Sequence, residues 1–113
     1  MNVPSKPGVA GDVNAPAQAT AAVITYAADP LRRHCIGALY WSYSAAPTGG
    51  SIKVEDVSGT VVFGPLAITA AGPGYIPIDP PLCNNVVNTA LIVTLASGAG
   101  SVVGVVGARH WLE

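Results

Sequence analysis

Cys35, His110 and Asp79 supply a nucleophile, a general base and an orienting carboxylate, the set that hydrolytic acyl transfer needs. Their local setting argues against that use. His34 and Cys35 are adjacent and point to opposite faces if they lie on a strand, and nothing beside Cys35 marks its thiol as activated. A buried core thiol is the favoured reading, a small hydrolase using Cys35 and His110 is a remote alternative, and the chain is read as no enzyme. Metal binding has no better support. Cys35, Cys83, His34 and His110 lack the paired spacing of a zinc site, and Asp56 and Asp79 are isolated where a calcium loop needs several oxygens in one segment. Gly72-Pro73-Gly74 lacks the lysine and the following helix of a phosphate loop, so it reads as a rigid connector. No catalytic residue, metal or cofactor is expected.

Two other groups are suited to contact rather than catalysis. Tyr40, Trp41 and Tyr43 suit a sugar-stacking platform, a subunit interface or a core; on a strand Trp41 and Tyr43 share one face with Leu39, which favours core packing for Trp41. Arg32, Arg33 and His34 form a basic cluster with Arg109 and His110 if the last strand lies beside the strand that holds His34.

The elements that must carry these residues follow from composition. Of 113 residues, 50% are hydrophobic and only 10% charged, the net charge is -1 and the mean hydropathy is +0.48. An ordinary soluble domain carries about 25% charged residues, so a monomer of this composition would leave much apolar surface wet. Five Lys and Arg residues scarcely build a basic face, which argues against nucleic acid as a partner. Between Asp56 and Arg109 the only charged side chain is Asp79, and Gly or Pro interrupts the span every few residues. Such a segment reads as short strands buried against each other and against other copies of the same chain. Residues 90–108 are uncharged and about long enough to span a membrane, but Ser97-Gly98-Ala99-Gly100 divides them and Val, Ile and Thr dominate the flanks. Two strands joined as a hairpin fit better, and no membrane partner is expected. Cys35 and Cys83 admit one disulfide, although two buried thiols behaving as small hydrophobes are favoured.

Residues 1–18 hold Pro4, Pro7 and Pro16 and no hydrophobic period, as an extended arm with a reach of about 60 Å would. The N-terminus shows no apolar export signal, which predicts synthesis in the cytoplasm. Residues 19–113 form the second unit. Strands are predicted over 21–26, 34–44, 51–56, 60–63 with a kinked continuation to 69, 75–78, 89–95 and 102–111. Ile52 and Val54 face inward while Lys53 and Glu55 face water, and Ser58-Gly59 makes a hairpin. Residues 71–74 read as a loop, Pro77 places its strand on an edge or bulge, Asp79-Pro80-Pro81 breaks the chain, and Gly104 and Gly107 mark bulges or close backbone approaches. The expected fold is all-β, an antiparallel β-sandwich or jelly roll with an extended N-terminal arm.

Trp41-Ser42-Tyr43-Ser44-Ala45-Ala46-Pro47-Thr48-Gly49-Gly50, followed by Lys53-Val54-Glu55-Asp56, resembles small virion proteins of tailed bacteriophages and prophages. The likeness continues through Ile68-Thr69-Ala70-Ala71-Gly72-Pro73-Gly74-Tyr75-Ile76-Pro77, Pro80-Pro81-Leu82 and Asn88-Thr89-Ala90-Leu91-Ile92-Val93-Thr94-Leu95-Ala96, and so covers the chain from about Tyr26 to Trp111. The resemblance implies a jelly-roll decoration or cement protein, made in the bacterial host cytoplasm and seated on the outer capsid as a homotrimer. Its partners would be its own copies and the major capsid protein. Candidate capsid or subunit contacts are Val3, Pro4, Lys6, Pro7, Val9 and Val13 of the arm, with Arg32, Arg33, Tyr40, Tyr43 and Arg109. The alternative is a tail or head-fibre module that adsorbs to host glycans through Trp41, Tyr43 or Tyr75.

Overall fold

A computed structural model describes residues 12–57 and 59–113. They form eight strands: β1 (Asp12–Asn14), β2 (Ala22–Tyr26), β3 (His34–Tyr43), β4 (Gly50–Asp56), β5 (Val61–Ile68), β6 (Gly72–Cys83), β7 (Leu91–Leu95) and β8 (Gly104–Leu112). Among the described residues there is no helix, and so none long and apolar enough to cross a membrane. Strand formation follows the period-two pattern: Ala22, Ile24 and Tyr26 on β2, Ile52 and Val54 on β4, and Leu91, Val93 and Leu95 on β7 are buried, with Val23, Thr25, Lys53 and Glu55 turned away.

The strands make two four-stranded antiparallel sheets, ordered β1-β8-β3-β6 and β2-β7-β4-β5. One hydrophobic cluster draws on both, joining Ile36, Leu39, Tyr43, Val106 and Ala108 of the first sheet to Ile24, Ile52, Val54, Leu91, Val93 and Leu95 of the second. The β4–β5 hairpin is present as expected. The expected β7–β8 hairpin is not: β7 lies between β2 and β4, and β8 between β1 and β3. Splitting them sets Leu91, Val93 and Leu95 across the core from Val106 and Ala108, whereas a flat hairpin would align all five along one surface.

Three local readings change. β6 is one strand of 12 residues, where a loop, a short strand and a break were expected. It is an edge strand, as Pro77 suggested, so prolines whose missing N–H faces away from the ladder do no harm. Asp79-Pro80-Pro81 interrupts the ladder without ending the strand. Ala38 pairs with Pro77 and Ile36 with Leu82, so residues 78–81 bulge opposite Gly37 alone. On β5 the kink at Gly64-Pro65 is likewise a bulge, opposite Lys53, and Gly64 (φ 80°) approaches Ile52 O too closely for any Cβ. Asp12, Val13 and Asn14, within the stretch read as an arm, pair with Ala108, Gly107 and Val106 of β8. Residues 1–11 lie outside the described residues.

Cys35 and Cys83 are joined in a disulfide, which overturns the expectation of two thiols. They are 48 residues apart, and sequence spacing could not show that the β3–β6 register sets them directly opposite, with Cα atoms 4.0 Å apart. Closing a loop of that length removes unfolded-state entropy worth about 4 kcal/mol in the chain-entropy account.

Candidate contact surface

The disulfide removes the chemistry first considered for Cys35, since a bonded sulfur offers no thiolate to a substrate or a metal. The sulfurs of Cys35 and Cys83 lie within 4.8 Å of a Glu113 carboxylate oxygen, but the bond between them removes both thiolates and leaves the carboxylate as the one ligand of that group. His110 faces the interior, where its ring stacks on Tyr26 with centroids 3.7 Å apart. His34, 5% exposed, bridges His110 Nε2 (2.7 Å from Nδ1) and Ala27 O (2.6 Å from Nε2). Its ring nitrogens are engaged within the core rather than presented to a partner.

β8 does lie beside β3, which was the condition for the basic cluster. The charges are nonetheless spoken for: Arg32 pairs with Asp29 at 3.3 Å and Arg33 with Glu113 at 3.0 Å. The Leu31 N–H, and then the Arg32 guanidinium, hold the Asp29 carboxyl below its ordinary range. Arg109 is exposed, opposite Ala38. Val3, Pro4, Lys6, Pro7 and Val9 lie outside the described residues; Val13 is 57% exposed on edge strand β1.

The aromatic residues separate by face. Tyr43 is not on a contact surface: it is 1% exposed, its hydroxyl donates to Ala96 O at 2.6 Å, and burial pushes its phenol pKa up. Since Leu39, Tyr43, Val106 and Ala108 point into the core, Tyr40, Ser42, Val105, Gly107 and Arg109 lie on the outer face of the first sheet. The ladder sets Tyr40 between Gly107 and Tyr75, and Ser42 between Val105 and Pro73. A Cβ on Gly107 would collide with the Tyr40 ring, so that ring leans over β8, away from Tyr75. Trp41 packs against the core, with its indole across Gly74 at a distance that admits no side chain there. Two glycines thus serve as seats for aromatic rings.

Between the leaning Tyr40 and the half-exposed Tyr75 lies a groove of about 480 Å³, lined also by Trp41, Ser42, Pro73 and Val105. None of these side chains is charged. The sequence named Tyr40 and Tyr75 separately; what it lacked was the register that makes them neighbours. Gly107, flagged as a close backbone approach, was the available signal.

Large apolar side chains are exposed at several places, among them Val13, Val23, Leu31, Val57, Val86 and Val87, and also on two edge strands. β5 and β6 are the terminal strands of their sheets, joined by residues 69–71, and they expose Val61, Val62, Leu66 and Tyr75. Sequence reading expected strands buried against each other and against other copies of the chain, but did not place such a surface on β5 and β6. Neither a protein-family model nor a curated protein matches the chain.

Proposed function

We propose that this protein is a structural component of a tailed-phage particle, a decoration or cement protein that binds the outer head surface as a trimer. The observation that carries the reading is the exposed apolar edge of β5 and β6 in a chain with 10% charged residues. A single copy leaves that edge wet, and closed symmetric assembly covers it. The strand orders β1-β8-β3-β6 and β2-β7-β4-β5 support reading the fold as an eight-stranded jelly roll of two Greek keys, an architecture used repeatedly in capsid proteins. Fold alone assigns no function, so the resemblance to phage virion proteins supplies the particle and the exposed edge supplies the reason to assemble. A disulfide suits a particle that persists outside the reducing cytoplasm.

In this reading the arm residues Val3, Pro4, Lys6, Pro7, Val9 and Val13, together with Arg109 and Tyr40, meet the major capsid protein. Three linked weak contacts reinforce one another. Glycan adsorption is less well supported, because the groove beside Tyr75 offers no charged or amide side chain to sugar hydroxyls. The test is binding of the purified protein to expanded capsids of its phage, with sedimentation of the free protein. The expected result is a trimer that binds capsids and raises their resistance to heat; a stable monomer without affinity for capsids rejects the reading.

A further inference from the structure

The groove between Tyr40 and Tyr75 opens beside the β5 and β6 edge, and Tyr75 belongs to both. Hollow and edge therefore form one continuous apolar surface. Along a strand the N–H and C=O of one residue point to one side and those of the next to the other, so Pro73, Tyr75 and Pro77 share a side, the one turned away from β3. Proline donates nothing, which leaves the Tyr75 N–H as the single donor on that rim from residue 73 to residue 77. A partner strand finds too few hydrogen bonds there. What β6 offers instead is the groove, about 480 Å³ of space with no charged side chain in its lining.

β5 offers side chains rather than a hollow. It ends its own sheet, carries no charged residue and exposes Val61, Val62 and Leu66. Symmetry decides how the two surfaces meet. A two-fold contact joins a surface to its own copy, which would set hollow against hollow and fill neither, whereas a ring of three joins two different surfaces of each copy. Aliphatic side chains on one edge strand and an aromatic-walled hollow beside the other make such a pair, and neither has to strip water from a charge.

We propose that the groove of each copy receives the β5 edge of the next copy around the ring, with Val61, Val62 and Leu66 against Tyr40, Pro73 and Tyr75. The inference rests on the trimer proposed above and adds where its copies touch. Tyr40 then borders two contacts, since it walls the groove on one side and leans over β8, the strand that holds Arg109, on the other.

The test uses the full chain without capsids and pairs photocrosslinking with sedimentation. Irradiated Val62→p-benzoylphenylalanine protein should give covalent dimers and trimers on a denaturing gel, with bonds mapped by mass spectrometry to peptides holding residues 40–42, 73–75 or 105. The reciprocal Tyr75→p-benzoylphenylalanine protein, which keeps an aromatic ring at its position, should mark residues 61–66 of a second chain. The yield from position 62 should fall at least fivefold in Tyr75→Ser, an exposed position whose change leaves the circular dichroism spectrum intact. A trimer whose interchain bonds lie elsewhere, or whose yield ignores Tyr75→Ser, overturns this inference and leaves the particle reading standing. A monomer or a two-fold dimer overturns both.

Discussion

Asn84 shows how much a single polar side chain can hold. It is 1% exposed; its carbonyl oxygen accepts from the His34 N–H at 2.9 Å, and its amide donates to Asp56 Oδ1 at 2.8 Å and to Ala90 O at 3.1 Å. Asp56 Oδ2 in turn accepts from the Asn85 N–H at 3.0 Å, so the ends of β3, β4 and β6 are tied at one point. Asn84→Ala strands a buried donor on His34 and should cost about 3 kcal/mol. In a chain of this size that is a fall in Tm of roughly 12 °C by differential scanning calorimetry. Asn84→Asp should not rescue it, because the carboxylate lacks the donors and sits against Asp56; a variant within 2 °C of the parent would show the network to be dispensable. Nothing in the sequence distinguished Asn84 from Asn85, since burial depends on which strands converge. Tyr43 carries a pH prediction. Its folded-state pKa is raised above the unfolded value near 10, so the neutral phenol's contribution is complete below that pH and is lost as pH rises through the folded pKa. Urea midpoints measured from pH 9 to 12 should show this alkaline loss in the parent and lack that component in Tyr43→Phe.

At the scale of elements, what was legible in the sequence was whatever depends on alternation along one strand. β2, β4 and β7 fall within two residues of expectation because each has one buried face, and burying one face writes a period of two into the residue types. β6 was fragmented because its prolines and glycines mimic loop chemistry, and only its edge position makes them tolerable. The β7–β8 connection was misread for a different reason: Ser97 to Gly100 signals a turn but not whether the chain returns to the same sheet. The disulfide belongs to this level as well, since it fixes a 12-residue edge strand that, among the described residues, β3 alone pairs with. Replacing both cysteines in Cys35→Ala/Cys83→Ala should lower the urea-derived unfolding free energy by about 4 kcal/mol. Hydrogen exchange should rise first along Leu82 and Cys83 and their β3 partners. A loss under 1 kcal/mol would mean that the β3–β6 ladder alone sets the register.

For the whole molecule the deciding quantity is the apolar surface one copy cannot cover. Val61, Val62 and Leu66 are 42%, 40% and 40% exposed on β5, and Tyr75 is 53% exposed on β6, with no charged residue on β5 to interrupt them. An unprotected edge of this kind invites strand-to-strand association, and edge strands usually carry charges against it. Its survival here fits an interface, which must bury roughly 800 Å² per partner to be stable. Val62→Lys/Leu66→Lys places two cations on that edge at positions the core does not use. The parent should sediment near 34 kDa, three times the 11.3 kDa chain, and the variant near the single-chain mass with an unchanged circular dichroism spectrum. Capsid affinity should fall with the trimer, since each copy then binds alone. If the variant remains trimeric, the β5–β6 edge is not where copies meet. If the parent is itself a monomer, the exposed edge has no partner of its own kind, and the proposed assembly fails with it.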